Sequence, residues 1–446
     1  MGTVLKLMVR WFYSGLMWLA QPLLRIKLRR RSVQEPGYGQ AIDERFGHYD
    51  LPAPDHRGPT LWIHAVSLGE TRAAAVLVAA LRQHIPHMRL LLTHGTATGR
   101  LEGVKLLVNG DLQAWQPWDT PGAVKRFLTH FKPDLGLLME TEVWPNLVFG
   151  CQRLGVPLLL VNARLSDKSL RQSLRLAWLA RPTFAALTAV WAQTPLDAQR
   201  LQALGAKVQG VMGNLKFDAT PDARLLALGR QWRRQLARPV VMFASSREGE
   251  EQLFLQNLKT FLPVVFDRAS LCASESIADE VQWMIVPRHP QRFDAVAALI
   301  ESHGFTVQRR SSWGDGGPGA TAVPRPVIWL GDSLGEMALY YGLADVALLG
   351  GSFEPLGGQN LIEAAACGCP VVMGPHTFNF TEAAQQAEQV GAALRVSDMT
   401  QALTLSAELV ANETRLTESV KAADGFAKAH QGATQHLVKL IKSKIL

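Results

Sequence analysis

The chain has 446 residues, of which 48% are hydrophobic and 19% are charged. This composition can build sizeable cores in two or three domains, and it excludes an intrinsically disordered chain. The formal net charge of +8 favours anionic partners such as nucleic acid, acidic lipid or a phosphorylated substrate.

The positive charge is concentrated at the N-terminus. Residues 1–34 contain seven basic side chains and no acidic one, and aromatic residues from Trp11 to Trp18 lie among them. Such a segment suits an anionic membrane surface, so residues 1–31 are predicted to be a membrane-anchoring helix that lies in the bilayer interface or barely spans it. The alternative is an amphipathic helix docked on the protein's own surface. No nucleic-acid motif follows, so no nucleic-acid partner is expected.

Strands and helices alternate after this segment. The first predicted strand covers residues 61–66 and is followed by an alanine-rich helix over residues 71–84. Further short apolar runs predict strands at 89–93, 135–139, 157–162, 190–193 and 208–212. Short apolar runs separated by helical stretches indicate βαβ units around a parallel sheet.

A polar, arginine-rich stretch near residues 218–238 separates this series from a second one. The second series predicts strands at 240–244, 283–286, 327–330, 344–349 and 371–373. Residues 311–326 are rich in Gly, Ser and Pro and are predicted to form a mobile loop.

The two series predict an α/β protein of the GT-B type. Two Rossmann-like, doubly wound domains would face a cleft, with ligands at the carboxyl ends of the strands. The predicted boundaries are residues 32–220 for the N-terminal domain, 221–240 for a linker and 241–446 for the C-terminal domain.

The first candidate site lies where the first predicted strand meets its helix, in residues 65–70. A carboxylate at this position, that of Glu70, could remove a proton from an acceptor hydroxyl group. The same segment also matches a capping box, with Ser67 as the N-cap and Glu70 at the N3 position. The spacing alone leaves both interpretations open.

The second candidate site is the glycine-rich segment 350–363, which runs from a predicted strand into a helix. Free backbone N–H groups and the helix dipole favour anion binding at such a place. Glu363 could accept hydrogen bonds from ribose hydroxyl groups. Alternatively, Asn360 and Glu363 could form a cap pair, and caps can coexist with ligand contacts.

Three further segments carry polar groups close to strand ends. Residues 286–292 contain an arginine and a histidine, residues 139–146 contain two acids, and residues 213–218 contain a lysine. Singly, each is consistent with a structural role. The chain has no Asp-x-Asp clamp, no P-loop and no Gly-x-Ser-x-Gly elbow. This argues against a metal-dependent transferase, a kinase and a serine hydrolase, and no metal or cofactor is expected.

Taken in order, these segments resemble the 3-deoxy-D-manno-octulosonic acid (Kdo) transferases, glycosyltransferase family 30. The resemblance extends from the basic N-terminus to the C-terminal helices. It is carried by residues 65–70, 139–147, 162–166, 213–218, 286–290 with 292–293, 331–337 and 373–380. Several long motifs in the same order are far more specific than any one of them.

The resemblance implies inverting, metal-independent transfer of Kdo from CMP-Kdo to the lipid A precursor lipid IVA, in lipopolysaccharide biosynthesis. It implies an acceptor-binding N-terminal domain, a CMP-Kdo-binding C-terminal domain, and a location on the cytoplasmic side of the inner membrane. By position, Glu70 resembles the general base. Glu140 and Lys216 resemble groups near the transition state, and Glu142 is the rival to Glu140. The positions that resemble the CMP-Kdo-binding residues are Pro287, Arg288, Leu334, Gly335, Glu336, Asn360, Leu361, Ile362 and Glu363.

The chain departs from the family pattern in the glycine-rich loop. Gln359 stands where the family usually has histidine, and Leu361 stands where it has proline. Residues 266–281 resemble an insertion. Two alternatives remain open: another GT-B nucleotide-sugar enzyme, such as a UDP-sugar transferase or epimerase, and a non-catalytic, membrane-associated nucleotide-binding protein.

Overall fold

A computed structural model of the chain describes residues 3–51, 58–262, 281–319 and 326–445. They form two compact units. Unit 1 comprises Met1–Asp218 together with Gln431–Leu446, and unit 2 comprises Ala219–His430. Each unit is built on one seven-stranded sheet with helices packed against it. The predicted α/β class with two doubly wound domains is confirmed.

The sheet of unit 1 is entirely parallel. Its strands are β1 (Thr60–His64), β2 (Arg89–His94), β3 (Leu112–Trp115), β4 (Leu135–Met139), β5 (Leu158–Ala163), β6 (Ala189–Ala192) and β7 (Val208–Val211). They pair in the order β3-β2-β1-β4-β5-β6-β7. The direction of winding therefore reverses between β1 and β4, and such a switch point is where open α/β sheets place their ligands.

Nine helices precede or follow these strands in the described part of unit 1 up to residue 218. They are α1 (Thr3–Leu19), α2 (Gln21–Gln34), α3 (Leu68–His84), α4 (Ala97–Val104), α5 (Pro121–Phe131), α6 (Pro145–Leu154), α7 (Asp167–Arg175), α8 (Ala177–Ala185) and α9 (Pro195–Ala203). Alternate strand residues face opposite sides of the sheet. Leu61 and Ile63 face a core shared with α3, and Trp62 faces a second core shared with α5.

The sheet of unit 2 is also parallel. Its strands are β8 (Val240–Ser246), β9 (Gln282–Pro287), β10 (Thr306–Arg309), β11 (Val327–Leu330), β12 (Val346–Leu349), β13 (Val371–Met373) and β14 (Ala393–Arg395). They pair in the order β10-β11-β9-β8-β12-β13-β14, so the switch point lies between β8 and β12. The helices are α10 (Ala223–Gln235), α11 (Glu250–Phe261), α12 (Phe293–Ser302), α13 (Met337–Leu343), α14 (Leu361–Ala366), α15 (Thr381–Gln389), α16 (Met399–Ala411) and α17 (Glu413–Ala429).

The predicted domain boundaries are wrong in two places. The last helix, α18 (Ala433–Ile445), packs Leu437, Val438 and Ile441 into the core of unit 1, although its sequence position assigned it to the C-terminal domain. The predicted linker is largely the helix α10, which packs closely on α13. A Cβ atom added at Gly229 of α10 would lie 2.1 Å from the Leu339 main-chain oxygen. Such a close helix–helix approach makes this segment part of unit 2.

The predicted mobile loop over residues 311–326 is anchored by Trp313 in its described part. The ring of Trp313 lies edge-on to Trp232 of α10 and to Trp329 of β11, and Trp313 is buried. Residues 320–325 of this stretch lie outside the described residues, as does almost all of the predicted insertion, which includes residues 266–280.

The N-terminal helix α1 has one docked side and one exposed side. Tyr13 donates a hydrogen bond to Asp119 Oδ2 at 2.9 Å, and Ser14 donates one to Asn146 Oδ1 at 2.9 Å. Trp11 and four further large apolar side chains of α1 are exposed: Phe12, Leu16, Trp18 and Leu19. The helix thus docks on its own protein and also presents apolar surface.

Across the described residues, no helix combines the length and the apolar character that crossing a bilayer requires.

The buried Asp119 gives the folded protein a defined pH dependence. Burial raises the pKa of Asp119 to about 6, against hydrogen bonds from Asn146, Tyr13 and Leu147. An unfolded aspartate has a pKa of about 4, so the unfolded chain loses this proton first and stability falls as the pH rises from about 4 to 6. We expect wild-type protein to lose about 2 kcal/mol more than Asp119→Asn over this range. Thermal melts from pH 4 to 6.5 measure the difference, and equal slopes would contradict the assignment.

Candidate functional site

Left-handed residues mark the carboxyl ends of the central strands. Within the described residues, five residues other than glycine have positive φ, and three of them lie at strand ends: Glu140 after β4 (57°), Asn162 in β5 (52°) and Ser245 in β8 (55°). Asn162 and Ser245 coincide with irregularities in the strand pairing. Bulges and strained residues concentrate next to functional sites, where they re-aim side chains.

Glu70 is held by the start of helix α3. Ser67 is the N-cap, and its Oγ accepts a hydrogen bond from Glu70 N–H at 3.4 Å. In return, Glu70 Oε1 accepts from Ser67 Oγ at 2.8 Å, and Oε2 accepts from Val66 N–H at 2.9 Å. The N-cap bond of the predicted capping box is therefore present, whereas the Glu70 carboxylate bonds the Val66 N–H group in place of that of Ser67. Each carboxylate oxygen uses one lone pair in these bonds and keeps another.

The surroundings of Glu70 make it a stronger base than an ordinary glutamate. Burial raises the pKa of Glu70, and the negative charges of Glu140 and Glu142 raise it further. The hydrogen bonds from Val66 and Ser67 act in the opposite direction. A half-buried carboxylate with a raised pKa accepts a proton more readily, as a general base near neutral pH requires.

Glu140 is the centre of an ion-pair network. It is buried, and its Oε2 lies 2.7 Å from Arg164 Nε. Its Oε1 lies 3.4 Å from Lys216 Nζ. Two cations share this carboxylate, while Glu70 and Glu142 add negative charge beside them. Sequence analysis had identified Glu140 and Lys216 but not Arg164.

Glu142 has a different environment. It accepts a hydrogen bond from the indole Nε1 of Trp144 at 2.9 Å, and its pKa is raised by burial. The contact with Lys216 thus belongs to Glu140, which separates the two rivals geometrically. The negative charges of Glu140 and Glu142 both raise the pKa of Glu70.

In unit 2, a buried glutamate holds the glycine-rich loop that follows β12. Glu250 Oε2 accepts from Gly351 N–H at 2.7 Å and from Arg247 N–H at 3.0 Å, and Oε1 accepts from Phe353 N–H at 3.2 Å. Gln359 N–H donates to Gly350 O at 2.9 Å. The N–H groups of Gly351, Phe353 and Gln359 are therefore not available to a ligand.

The Glu250 contacts predict a large stability effect. Glu250→Ala would leave three backbone N–H groups without an acceptor, two of them on buried residues, so we expect a loss of about 3 kcal/mol. The exposed Glu248 is the matched control, and Glu248→Ala should change stability by less than about 0.5 kcal/mol. Thermal denaturation of both variants measures the difference. Similar melting temperatures would show that the loop does not depend on Glu250.

The start of α14 carries the predicted cap pair. Asn360 Oδ1 accepts from Ile362 N–H at 3.2 Å, and Asn360 Nδ2 donates to Glu363 Oε1 at 3.1 Å. The side chains of Leu361 and Ile362 are buried, so these two residues can offer a ligand only their backbone. Glu363 is exposed and remains the polar group that a ligand can reach.

The segment at the end of β9 carries basic groups next to the end of β8. Pro287 is buried, and Arg288 N–H donates to Ser246 O at 3.0 Å. Burial lowers the pKa of His289, and the charges of three arginines lower it further: Arg247, Arg288 and Arg292. Arg292 is neutralised by the buried Glu251 at 2.6 Å. The segment thus places several basic side chains around His289.

The segment 334–336 has its own partners. Leu334 is exposed, and Gly335 has φ = 81°, a conformation that glycine adopts without strain. Glu336 Oε1 lies 3.0 Å from Arg310 of the neighbouring 3-10 turn, and Glu336 Oε2 accepts a hydrogen bond from Ser333. Arg310 was not identified from the sequence, since its partner is distant along the chain.

The structure brings some of the predicted residues together within each unit. In unit 1, Glu70, Glu140 and Glu142 interact electrostatically, and Lys216 contacts Glu140. In unit 2, burial raises the pKa of Tyr341, the charge of Glu363 raises it further, and the charge of Arg288 lowers it.

Comparison with known proteins identifies the family. Residues 40–219 match the family model described as 3-deoxy-D-manno-octulosonic-acid transferase (kdotransferase). The chain is 44% identical over 428 residues to a 3-deoxy-D-manno-octulosonic acid transferase of Bordetella pertussis, covering 94% of this chain and 96% of that protein. It is 32% identical over 446 residues to the transferase of the same name from Haemophilus influenzae, covering 98% of each.

A solved structure supports the fold. The UDP-GlcNAc 2-epimerase of Neisseria meningitidis, bound to UDP-GlcNAc, aligns with a TM-score of 0.55 at 15% identity, covering 86% of this chain and all of that one. At this identity the likeness concerns the architecture only. The two transferases provide the family assignment, since both align over nearly the entire length. The chain therefore belongs to the 3-deoxy-D-manno-octulosonic acid transferase family.

Proposed function

We propose that the protein transfers Kdo from CMP-Kdo to lipid IVA with inversion at the anomeric carbon, and that it does so at the cytoplasmic face of the inner membrane. Family membership supports Kdo transfer. The observation that carries the mechanism is the placement of Glu70 at the carboxyl end of β1, where burial and two neighbouring acids raise its pKa.

Glu70 is the general base in this proposal. Its carboxylate takes the proton of the 6′-hydroxyl group of the acceptor glucosamine disaccharide as the oxygen attacks the anomeric carbon of Kdo. The bond from that carbon to the phosphate breaks, and CMP leaves from the opposite face with the electron pair. A single displacement of this kind inverts the configuration and needs only one base.

Cationic groups balance the charge that moves during the displacement. Lys216, held at 3.4 Å from Glu140, is proposed to stabilise negative charge near the transition state. In unit 2, Arg288 is the proposed partner of the CMP phosphate, because a guanidinium binds phosphate oxygens through two parallel hydrogen bonds.

The nucleotide-binding segments are proposed to act through both side chains and backbone. Glu363 accepts from the ribose hydroxyl groups, and Asn360 orients Glu363 through their 3.1 Å hydrogen bond. Leu361 contributes its backbone N–H group, and Ile362, whose own N–H group donates to Asn360 Oδ1, holds Asn360 in place. Residues Pro287 and 334–336 complete the set of CMP-Kdo contacts. Gln359, the residue that replaces the family's histidine, supports the loop through its backbone bond to Gly350.

Mass spectrometry of the product formed from CMP-Kdo and lipid IVA tests this function and counts the Kdo units added. Formation of a product heavier than lipid IVA by whole Kdo residues is the expected result. Calorimetric titration with CMP and with UDP tests the nucleotide separately. Binding of UDP without CMP, together with no Kdo-containing product, would overturn the proposal.

The exposed side of α1 is proposed to bind the anionic membrane that holds the acceptor. Replacing Trp11, Phe12 and Trp18 by serine should weaken binding to vesicles of acidic phospholipid by at least about tenfold, since burial of each aromatic ring stabilises the bound state. The matched control replaces the exposed Leu101, Val104 and Val108 by serine and should leave binding unchanged. Co-sedimentation measures both. An equal loss in the two variants would argue against a specific role for α1.

A further inference from the structure

The end of strand β5 holds a buried asparagine in an uncommon backbone conformation. Asn162 is fully buried, and its φ of 52° lies in the left-handed region that residues other than glycine seldom adopt. It occupies an irregularity of the β5–β6 pairing, between Leu160 and Ala163. Such a conformation persists where the surrounding contacts fix it.

The side chain of Asn162 fixes the segment that carries Lys216. Its Oδ1 accepts from Leu215 N–H at 3.1 Å, and its main-chain oxygen accepts from Gln193 Nε2 at 2.8 Å. Gln193 Oε1 accepts from Asn214 Nδ2 at 3.1 Å, and Asn214 Oδ1 accepts from Lys216 N–H at 3.0 Å. Three neutral amide side chains therefore determine where the backbone of Lys216 lies.

The same part of β5 also holds the carboxylate that Lys216 contacts. The N–H group of Glu140 donates to the main-chain oxygen of Val161 at 3.1 Å, directly before Asn162. The Nζ atom of Lys216 lies 3.4 Å from Glu140 Oε1. Consecutive residues of β5, Val161 and Asn162, thus hold the backbones of Glu140 and Leu215, and neither adds a charge of its own.

The orientation of the Asn162 amide is determined by its contacts. Leu215 N–H requires an oxygen as its acceptor, so Oδ1 points towards it and Nδ2 points elsewhere. Nδ2 has no hydrogen-bond partner among the described residues. Leaving a buried amino group unpaired is unfavourable. An asparagine at this position therefore serves the contact of its oxygen with Leu215.

We propose that Asn162 is a positioning residue that places Lys216 against Glu140 and thereby sets the rate of glycosyl transfer. The effect on rate rests on the proposed function, because it requires Lys216 to act in the transfer step. The effect on placement does not, because it concerns only the contacts of the 214–216 segment.

A double-mutant cycle tests the effect on rate. Asn162→Gly keeps the left-handed backbone and removes the oxygen that holds Leu215. We expect kcat for Kdo transfer to fall by about 30-fold and KM for CMP-Kdo to change by less than about twofold, since displacements near 1 Å can cost about 100-fold in rate. In a Lys216→Ala background the same substitution should cost less than about threefold. Equal losses in the two backgrounds would overturn the proposal.

Two further variants separate positioning from a general effect on folding. Lys132 has φ = 45° at the exposed end of α5, so Lys132→Gly makes the same backbone replacement away from the site. It should leave kcat within about twofold of the wild-type value. Asn214→Ala removes the acceptor of Lys216 N–H and should reproduce the loss of kcat. Full activity of Asn214→Ala would contradict the network.

Hydrogen exchange tests the placement without any substrate. The amide of Leu215 should exchange at least about tenfold faster in Asn162→Gly than in the wild type, because it has lost its acceptor. Unchanged exchange at Leu215 would overturn the positioning role. A wild-type protein that forms no Kdo-containing product would overturn the proposed function instead, and the exchange result would still decide the placement.

Discussion

Glu70→Gln is expected to lower kcat/KM for Kdo transfer by about 10³-fold while the melting temperature stays close to that of the wild type. Glutamine cannot take a proton from the acceptor hydroxyl group, and a positioned general base contributes about 10²–10⁴-fold. The contacts at the start of α3 survive, because the amide oxygen can accept from Val66 N–H and the amide NH₂ group can donate to Ser67 Oγ. Steady-state kinetics and thermal melts of the purified variant measure the two effects.

Ser67→Ala is the matched control, because it has the opposite signature. It removes the N-cap and one hydrogen bond to Glu70 but leaves the carboxylate in place. We expect a loss of about 1 kcal/mol in stability, as for other N-cap replacements, with a much smaller loss of rate than in Glu70→Gln. Near-normal turnover of Glu70→Gln would show that the residue is only a cap.

Glu140→Gln is expected to lower kcat by at least about 10²-fold, since it disturbs charges set for the transition state. The substitution removes the negative charge that Arg164 and Lys216 share, so Lys216 loses the ion pair that holds its side chain. Stability should fall by about 2 kcal/mol. This is less than for fully buried ion pairs, because the Arg164 side chain is 53% exposed.

Glu142→Gln is the matched control for this effect. The contacts of Glu142 include the indole of Trp144, to which a glutamine can still offer an oxygen. We expect kcat to change by less than about threefold, within the range of substitutions away from such networks. Kinetics of the two variants under the same conditions provide the comparison. A larger loss in Glu142→Gln would reverse the assignment and make Glu142 the acid near the transition state.

The central strands could be predicted from the sequence, whereas three of the four edge strands could not. Strands such as β1 are buried on both faces and read as continuous apolar runs. The missed strands β3, β10 and β14 lie at sheet edges and contain half-exposed residues, so their sequences resemble those of loops. Helix α18 was placed in the wrong domain for a different reason. The apolar stripe of a helix does not reveal which of the two sheets the helix packs against.

The candidate site shows the same limit. The N-cap contact between Ser67 and Glu70 has a local signature, Ser67 followed three residues later by the acid, and the sequence offered it as one of two interpretations. The partners of Glu140 and Glu250 come from distant parts of the chain, and no spacing rule connects them. Arg164 is 24 residues from Glu140, and Gly351 is 101 residues from Glu250. Only the folded topology brings these groups within hydrogen-bonding distance.

The return of the chain to unit 1 affects the order in which the protein can fold during synthesis. Helix α18 is made after unit 2, yet Leu437 and its neighbours complete the core behind α3, the helix that carries Glu70. The chain leaves unit 1 after Asp218 and returns to it at Gln431. Asp218 connects these two places, since its carboxylate accepts hydrogen bonds from Gly432 N–H at 2.6 Å and Thr434 N–H at 2.5 Å. Domains generally fold N-terminal first on the ribosome. Here the core behind Glu70 is completed only after the whole of unit 2 has been translated, since residues 219–430 precede α18 in the chain.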